Sequence, residues 1–312
     1  MRISAVFSLL AVGIASFAPA AENTTLTVNQ TPDTIWIRAG ERPLLEYRFG
    51  NVPYKPYVKQ WFTPGGVNIL RDSPSDHKHH HAMMYAVGVD GINFWEEAGN
   101  PGKQLHRGFD RVGTFARPEA AEAGFTERLD WVAADGRLLL RERRTLKALM
   151  GEMPDASVLI WKSRFTPPGR DVELTGRHYF GLGLRFVESM DRVGQFLSAD
   201  GKPGETVRGT ERLVPARWIA YTAPVEGKPV TVALFDHPAN PRFPAGKFTM
   251  TQPFSYMSAT LDLKAKPLPL KADATLDLRY AVVLWQRETK PAEVEAFYRR
   301  WVETLAGKER NP

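Results

Sequence analysis

The chain contains no cysteine. That single absence removes disulfides, thiolate zinc sites, iron–sulfur clusters and a cysteine nucleophile. Long apolar runs are also missing. Beyond the first twenty residues, no segment approaches the roughly 18 to 20 apolar residues that a membrane-spanning helix needs, so no membrane span is expected. No glycine-rich phosphate loop leads into a helical segment, and no nucleotide cofactor is expected. Basic residues are in excess, with a formal net charge of +6, but they are scattered among acidic ones. A nucleic-acid binder would gather them into a stripe with interleaved aromatics, so no nucleic-acid partner is expected. The surplus reads as a solvated surface with some attraction for anionic ligands. Internal repeats and low-complexity linkers are absent too.

The first twenty residues read as an export signal. Arg2 supplies the positive start, "ISAVFSLLAVGIASF" the apolar middle, and Ala18-Pro19-Ala20 the small-x-small cleavage pattern. No Lys-Arg pair precedes the apolar core, which favours export of the unfolded chain. A periplasmic or secreted location is therefore expected for residues 21–312, about 290 residues, enough for one large core.

Alternating apolar and polar residues, the period-two signature of half-buried strands, run from end to end. They include "TIWIRAG" from 34, "LLEYRFG" from 44, "RLLLRERRTLKAL" from 137, "SVLIWKSRFTP" from 157, "ARWIAYTA" from 216, "VTVALFD" from 230 and "ATLDLRYAVVLWQ" from 274. Turn signals at Pro64-Gly65-Gly66, Asp90-Gly91, Asp135-Gly136, Pro168-Gly169 and Asp200-Gly201 separate them. One helix stands out near the C-terminus. Thr289 can cap it, Pro291 suits its first turn, Val294, Phe297, Trp301 and Leu305 share a face, and Gly307 suits its end. The pattern predicts an all-β protein: one large antiparallel β-sandwich, mutarotase-like supersandwiches included, with a C-terminal helix. The Gly/Pro-rich stretch 198–210 reads as a boundary or a long surface loop.

Four of the seven histidines, His77, His79, His80 and His81, fall within five positions in "SDHKHHHAMMYAVGVDG". The apolar run behind them reads as a strand. If the strand begins at the histidines, alternation puts His77, His79 and His81 on one face and Asp76, Lys78 and His80 on the other. Imidazoles sharing a face suit a divalent metal ion, and they suit sugar hydroxyls equally well. A cupin would require a Glu three or four residues after its second histidine. This chain has Ala82 and Met83, or Met84 and Tyr85, at those places.

His79 and His80 are thus candidate catalytic residues, with Asp76 orienting one imidazole and His106 or His237 joining from other strands. Arg185, in the glycine-spaced "FGLGLRF", would hold polar or anionic parts of a ligand. Arg242 would do the same, with Asn240, from the proline-rigid loop "FDHPANPRFP". Trp95, beside Glu96 and Glu97, is placed to stack on a sugar ring.

"YVKQWFTPGGVNILRDSPSDHKHHHAMMYAVGVDGINFW", with "GLGLRF" and "FDHPANPRFP", resembles the bacterial PmoA-like family, largely of unknown function. The family motif continues Arg-Gly where this chain has His81-Ala82. The resemblance therefore carries over His77, His79 and His80 and leaves out His81. The methane oxygenase suggested by that name must cross the bilayer repeatedly, and this sequence offers no apolar segment long enough for such helices. The resemblance implies a β-sandwich and a carbohydrate context, including keto-sugar chemistry. The leading expectation is an exported carbohydrate-active enzyme, a lyase or hydrolase of a glycoside or 3-keto-glycoside. A mutarotase or epimerase and a non-catalytic sugar-binding protein remain open, as does the oligomeric state.

Overall fold

The computed structural model describes residues 25–115, 121–151 and 155–308, so the expected signal at 1–20 lies outside them. The alternating segments form strands: Thr34–Ala39, Arg42–Arg48, Leu138–Met150, Ala156–Thr166, Trp218–Val225, Lys228–Asp236 and Leu276–Trp285. They join a ten-stranded and an eight-stranded sheet, with a smaller four-stranded sheet, and the registered strand pairs are antiparallel. The protein is an all-β sandwich with one C-terminal helix, as the alternation predicts.

The main core lies between the two large sheets, where Ile35, Ile37, Leu45 and Val58 meet Trp131, Leu140, Leu146 and Trp161. The eight-stranded sheet is covered on its other face as well. There Trp218, Phe235, Val283 and Trp285 pack against Val294, Phe297, Tyr298 and Trp301 of the helix Pro291–Lys308. Double coverage explains why "AVVLW" in the strand Leu276–Trp285 is continuously apolar. Glu295 fastens the helix, accepting from the Trp218 indole at 2.7 Å and pairing with Arg217 at 2.9 Å. The helix runs one residue past Gly307. Its first turn is closed by Glu293, which accepts from the Lys290 N–H, while the Thr289 N–H docks on Thr231.

The stretch 198–210 is a largely exposed connection that also contains a short strand. It carries the chain from Gln195–Ser198, at one edge of the eight-stranded sheet, to Glu205–Arg208, at one edge of the ten-stranded sheet. The other edge of the eight-stranded sheet is the thirteen-residue strand Lys103–Phe115, whose pairing with Ala121–Val132 slips at His106/Gly108 and at Phe109/Arg111.

A polar cluster sits inside this apolar sandwich. The fully buried Arg144 donates to both oxygens of Glu142 at 2.9 and 2.8 Å and to Gln104 at 2.8 Å. It also donates to the Tyr47 hydroxyl at 3.2 Å and the Pro56 carbonyl at 3.0 Å, and its guanidinium lies 4.9 Å from the Trp161 ring centre. Removing one member of a buried ion pair strands the other without water. Arg144→Met is expected to cost about 3–5 kcal/mol in urea unfolding, far more than an exposed Arg→Met change.

Candidate functional site

The histidine segment is a loop rather than a strand start, and the expected face-sharing of His77, His79 and His81 fails for that reason. Its ends are pinned by the Asp72–His81 bridge. Between them, His77 N–H reaches the Pro74 carbonyl and His80 N–H the His77 carbonyl, closing two tight turns in succession. Ala82 then takes a left-handed φ of +44°, which breaks the strand phase before Met83–Ala86 begins. Turn geometry, in place of alternation, carries His77, His79 and His80 onto one cavity of about 530 Å³. The His80 ring centre lies 4.7 Å from that of His77 and 4.8 Å from that of His79.

His81 faces another way. Its Nε2 meets Glu97 at 2.9 Å, and its Nδ1 lies 3.2 Å from Asp72 and 3.1 Å from the Ser73 hydroxyl. Glu97 is held in turn by Lys55 at 2.5 Å. Burial works against charge on His81, but the hydrogen bonds to Asp72 and Glu97 outweigh it and raise its pKa. His81 is thus a cationic rivet for the loop. Among the described residues, no group of three or more His, Cys, Asp or Glu is arranged to hold a metal ion.

His79 and His80 have the opposite character. Burial, reinforced by His79 and His77, pushes His80 down to about 2, so its ring is neutral at any physiological pH. Burial, then His77 and Lys55, also lowers His79. Asp76 does orient an imidazole, that of His77, whose Nδ1 lies 3.0 Å from its carboxylate. This hydrogen bond holds Asp76 below the usual carboxylate range. With Nδ1–H donated to Asp76, the lone pair of His77 stands on Nε2.

The remaining walls come from strands distant in sequence. Gly181–Arg185 pairs with both Met83–Ala86 and Tyr256–Ala259, bringing Tyr256 within 5.6 Å of the His80 ring centre. Gly183 is required here, since a Cβ on it would collide with the Tyr256 hydroxyl. Phe254 stands between the imidazoles of His77 and His80, at 4.7 and 5.2 Å, and the Arg185 guanidinium, 3.7 Å from its ring centre. Trp95 lines the cavity too, but its ring is 2% exposed and stacks on Phe180 at 5.5 Å. It is a wall, with little free face for a sugar. Its indole N–H lies beside the Tyr256 hydroxyl, and neither group makes a hydrogen bond of normal geometry. His80 Nδ1 is likewise enclosed without a partner.

Carboxylates complete the rim. Glu96 accepts from Tyr179 at 2.5 Å and pairs with Arg177 at 3.0 Å. Burial and then Glu96 push the Tyr179 phenol up to about 12, so it remains a donor. Glu211 pairs with Arg208 at 2.6 Å and approaches His178 at 3.4 Å.

The other candidates lie outside this cavity. Arg185 backs Phe254 and bonds Asp191 at 3.3 and 3.4 Å. His106 caps the interior, its Nδ1 2.6 Å from the fully buried Glu127. His237 accepts from the Ala239 N–H at 3.0 Å and packs against Trp301. Asn240 bonds Asp236 and both backbone groups of Arg279 at 2.7–2.8 Å. Arg242 donates to the carbonyls of Leu261, Lys266 and Pro267 at 2.6–3.1 Å. Sequence reading passed over Tyr179, Arg208, Glu211, Phe248, Phe254 and Tyr256, which have no shared spacing to mark them.

The family model that matches the chain is described as a family of unknown function (DUF6807), and it covers residues 34–299. The chain belongs to that family. No curated protein matches it. Solved structures to which it is similar include the GH36 alpha-galactosidase AgaB from Geobacillus stearothermophilus, at 13% identity and TM-score 0.48, covering 83% of this chain and 41% of that one. The alpha-galactosidase from Lactobacillus brevis matches at 8% identity and TM-score 0.43, over 86% and 40%. A TPR-domain containing protein from Parabacteroides distasonis matches at 5% identity and TM-score 0.37, over 83% and 48%. The chain spans less than half the length of each.

Because its folded pKa is raised, His81 contributes stability that is complete below the unfolded imidazole value of about 6.5 and is lost as pH rises through the folded value. The stability gap between wild type and His81→Gln is therefore expected to narrow as urea titrations move to alkaline pH. A gap that widens would contradict the cationic role. Gly183→Ala is expected to expel Tyr256 from the cavity wall, seen as a shifted Tyr256 ring resonance by NMR with the fold retained.

Proposed function

We propose that the cavity binds a glycoside and cleaves it by acid–base chemistry, as a lyase or hydrolase, and that a 3-keto-glycoside suits its groups best. The observation that carries this reading is the convergence of the imidazoles of His77, His79 and His80 on one aromatic-walled cavity of about 530 Å³. That volume falls in the range of small-molecule sites. Phe248, Phe254 and Tyr256, about as enclosed as Trp95, make the wall apolar, while the imidazoles and Glu211 offer partners for hydroxyl groups.

A 3-keto group acidifies the proton on C2. His77, oriented by Asp76, takes that proton on Nε2, and the C–H electrons pass into an enolate. The neutral His80 ring donates a hydrogen bond to the enolate oxygen, a role a neutral imidazole can fill without protonating it. Collapse of the enolate forms the C1–C2 double bond and breaks the bond from C1 to the leaving oxygen. Burial makes the His79 imidazolium a stronger acid than usual, and it protonates that oxygen. The products are an unsaturated keto-sugar and a free alcohol, so atoms balance without an oxidant or reductant.

The test is an NMR time course with a 3-keto-glucoside and its unoxidised parent, each with and without a chelator. Appearance of the enone or the released alcohol supports the reading, and dependence on metal would show as loss with the chelator. Interconversion of anomers without cleavage would make the protein a mutarotase, and no change in either sugar would remove catalysis on this substrate class. His77→Ala is expected to lower kcat/KM by about 10²–10⁴ on every cleaved substrate. His79→Ala should do so for an alkyl leaving group and far less for 4-nitrophenol, which departs without a proton.

A further inference from the structure

A second cavity, of about 460 Å³, lies beside the first, and His79 lines both. Its walls include Tyr54, Ser73, Lys78, His81 and Glu97. Glu97 is neutralised on both sides, by His81 at 2.9 Å and Lys55 at 2.5 Å, so this cavity presents no free negative charge. The Ser73 hydroxyl already donates to the Lys78 carbonyl at 2.8 Å. What remains available is one face of the half-buried Tyr54 ring, the Lys103 ammonium lying over the other at 5.8 Å from the ring centre, and the exposed Lys78 ammonium, which makes no ion pair among the described residues. A ring face with a hydrogen-bond donor beside it suits a neutral, hydroxylated ring.

We propose that this second cavity is the leaving-group subsite: a glycoside bridges the two cavities with its C1–O bond beside His79, so the favoured ligand is a disaccharide rather than a monosaccharide. The inference rests on the glycoside reading above and adds the class of leaving group. On cleavage, the departing oxygen, with the proton from His79, stays with the ring in the second cavity. The aromatic cavity keeps the sugar that supplies C1.

The test separates subsite binding from catalysis by using sugars that lack the 3-keto group. Titration calorimetry of the full chain would compare cellobiose with methyl β-glucoside, and maltose with methyl α-glucoside. At least one disaccharide is expected to bind about tenfold more tightly than its methyl glycoside, the gain from one ring stacked on Tyr54. Tyr54→Ala, or Lys78→Ala at an exposed position should the first disturb folding, is expected to remove most of that gain. Equal binding within both pairs, absence of binding, or an advantage that survives both substitutions would overturn the subsite. The cleavage reading fails separately. A disaccharide advantage without turnover of any keto-glycoside leaves the subsite standing and removes the chemistry, whereas turnover without the advantage does the reverse.

Discussion

A guanidinium sealed from water must have its N–H groups answered by the protein, because an unpaired buried charge costs several kcal/mol. Arg144 imposes that constraint at the centre of the sandwich, and much of the molecule is arranged around it. Its partners come from both large sheets and from the segment before Tyr57–Trp61: Tyr47 from one sheet, Glu142 and Gln104 from the other, and the Pro56 carbonyl from the connecting chain. The next residue back, Lys55, reaches Glu97 and the Trp95 carbonyl, and Glu97 reaches His81. The histidine loop is therefore tied, through the Lys55–Glu97–His81 contacts and the backbone step from Lys55 to Pro56, to a group that bridges the two sheets.

That tie explains how adjacent histidines can differ so sharply. His81 faces two carboxylates and is held charged, whereas His80, one residue earlier, faces aromatic rings and is held neutral. The charged ring fixes the loop in place, and the rings that face the cavity carry the chemistry we assign to it. Positioning and reactivity are thereby divided between neighbouring residues of the same type. The structural basis is a pair of tight turns followed by the left-handed Ala82.

The strands were legible because burial on one or both faces leaves a period-two or continuous apolar record, as in Thr34–Ala39 and Leu276–Trp285. The C-terminal helix was legible for the corresponding reason at 3.6-residue spacing. Histidine density marked the loop that lines the cavity, and Asp76 there contacts the imidazole of His77. The assignment of faces was not legible, since it assumed extended backbone through 76–82 and no residue there announces a positive φ as glycine would. Nor could the far wall be read. Tyr256 reaches His80 only because Gly181–Arg185 pairs with strands on both sides of it. The polar loop around His237, Asn240 and Arg242 carries the composition of a binding loop, but its polar groups are satisfied largely by backbone, which spacing alone does not disclose.

The outer strand Lys103–Phe115 leaves thirteen residues along an open sheet edge, the kind of surface on which a foreign strand can grow. Its two register slips twist that edge out of line. Arg107 and Asp110 on the strand are locked into ion pairs with Asp130, Arg128 and Arg143 of the neighbouring strands. An added strand would have to follow an interrupted backbone and lie across this charge lattice. This edge, the longest among the described residues, is thus a poor template for aggregation, because strand addition along it would meet broken register and fixed charge.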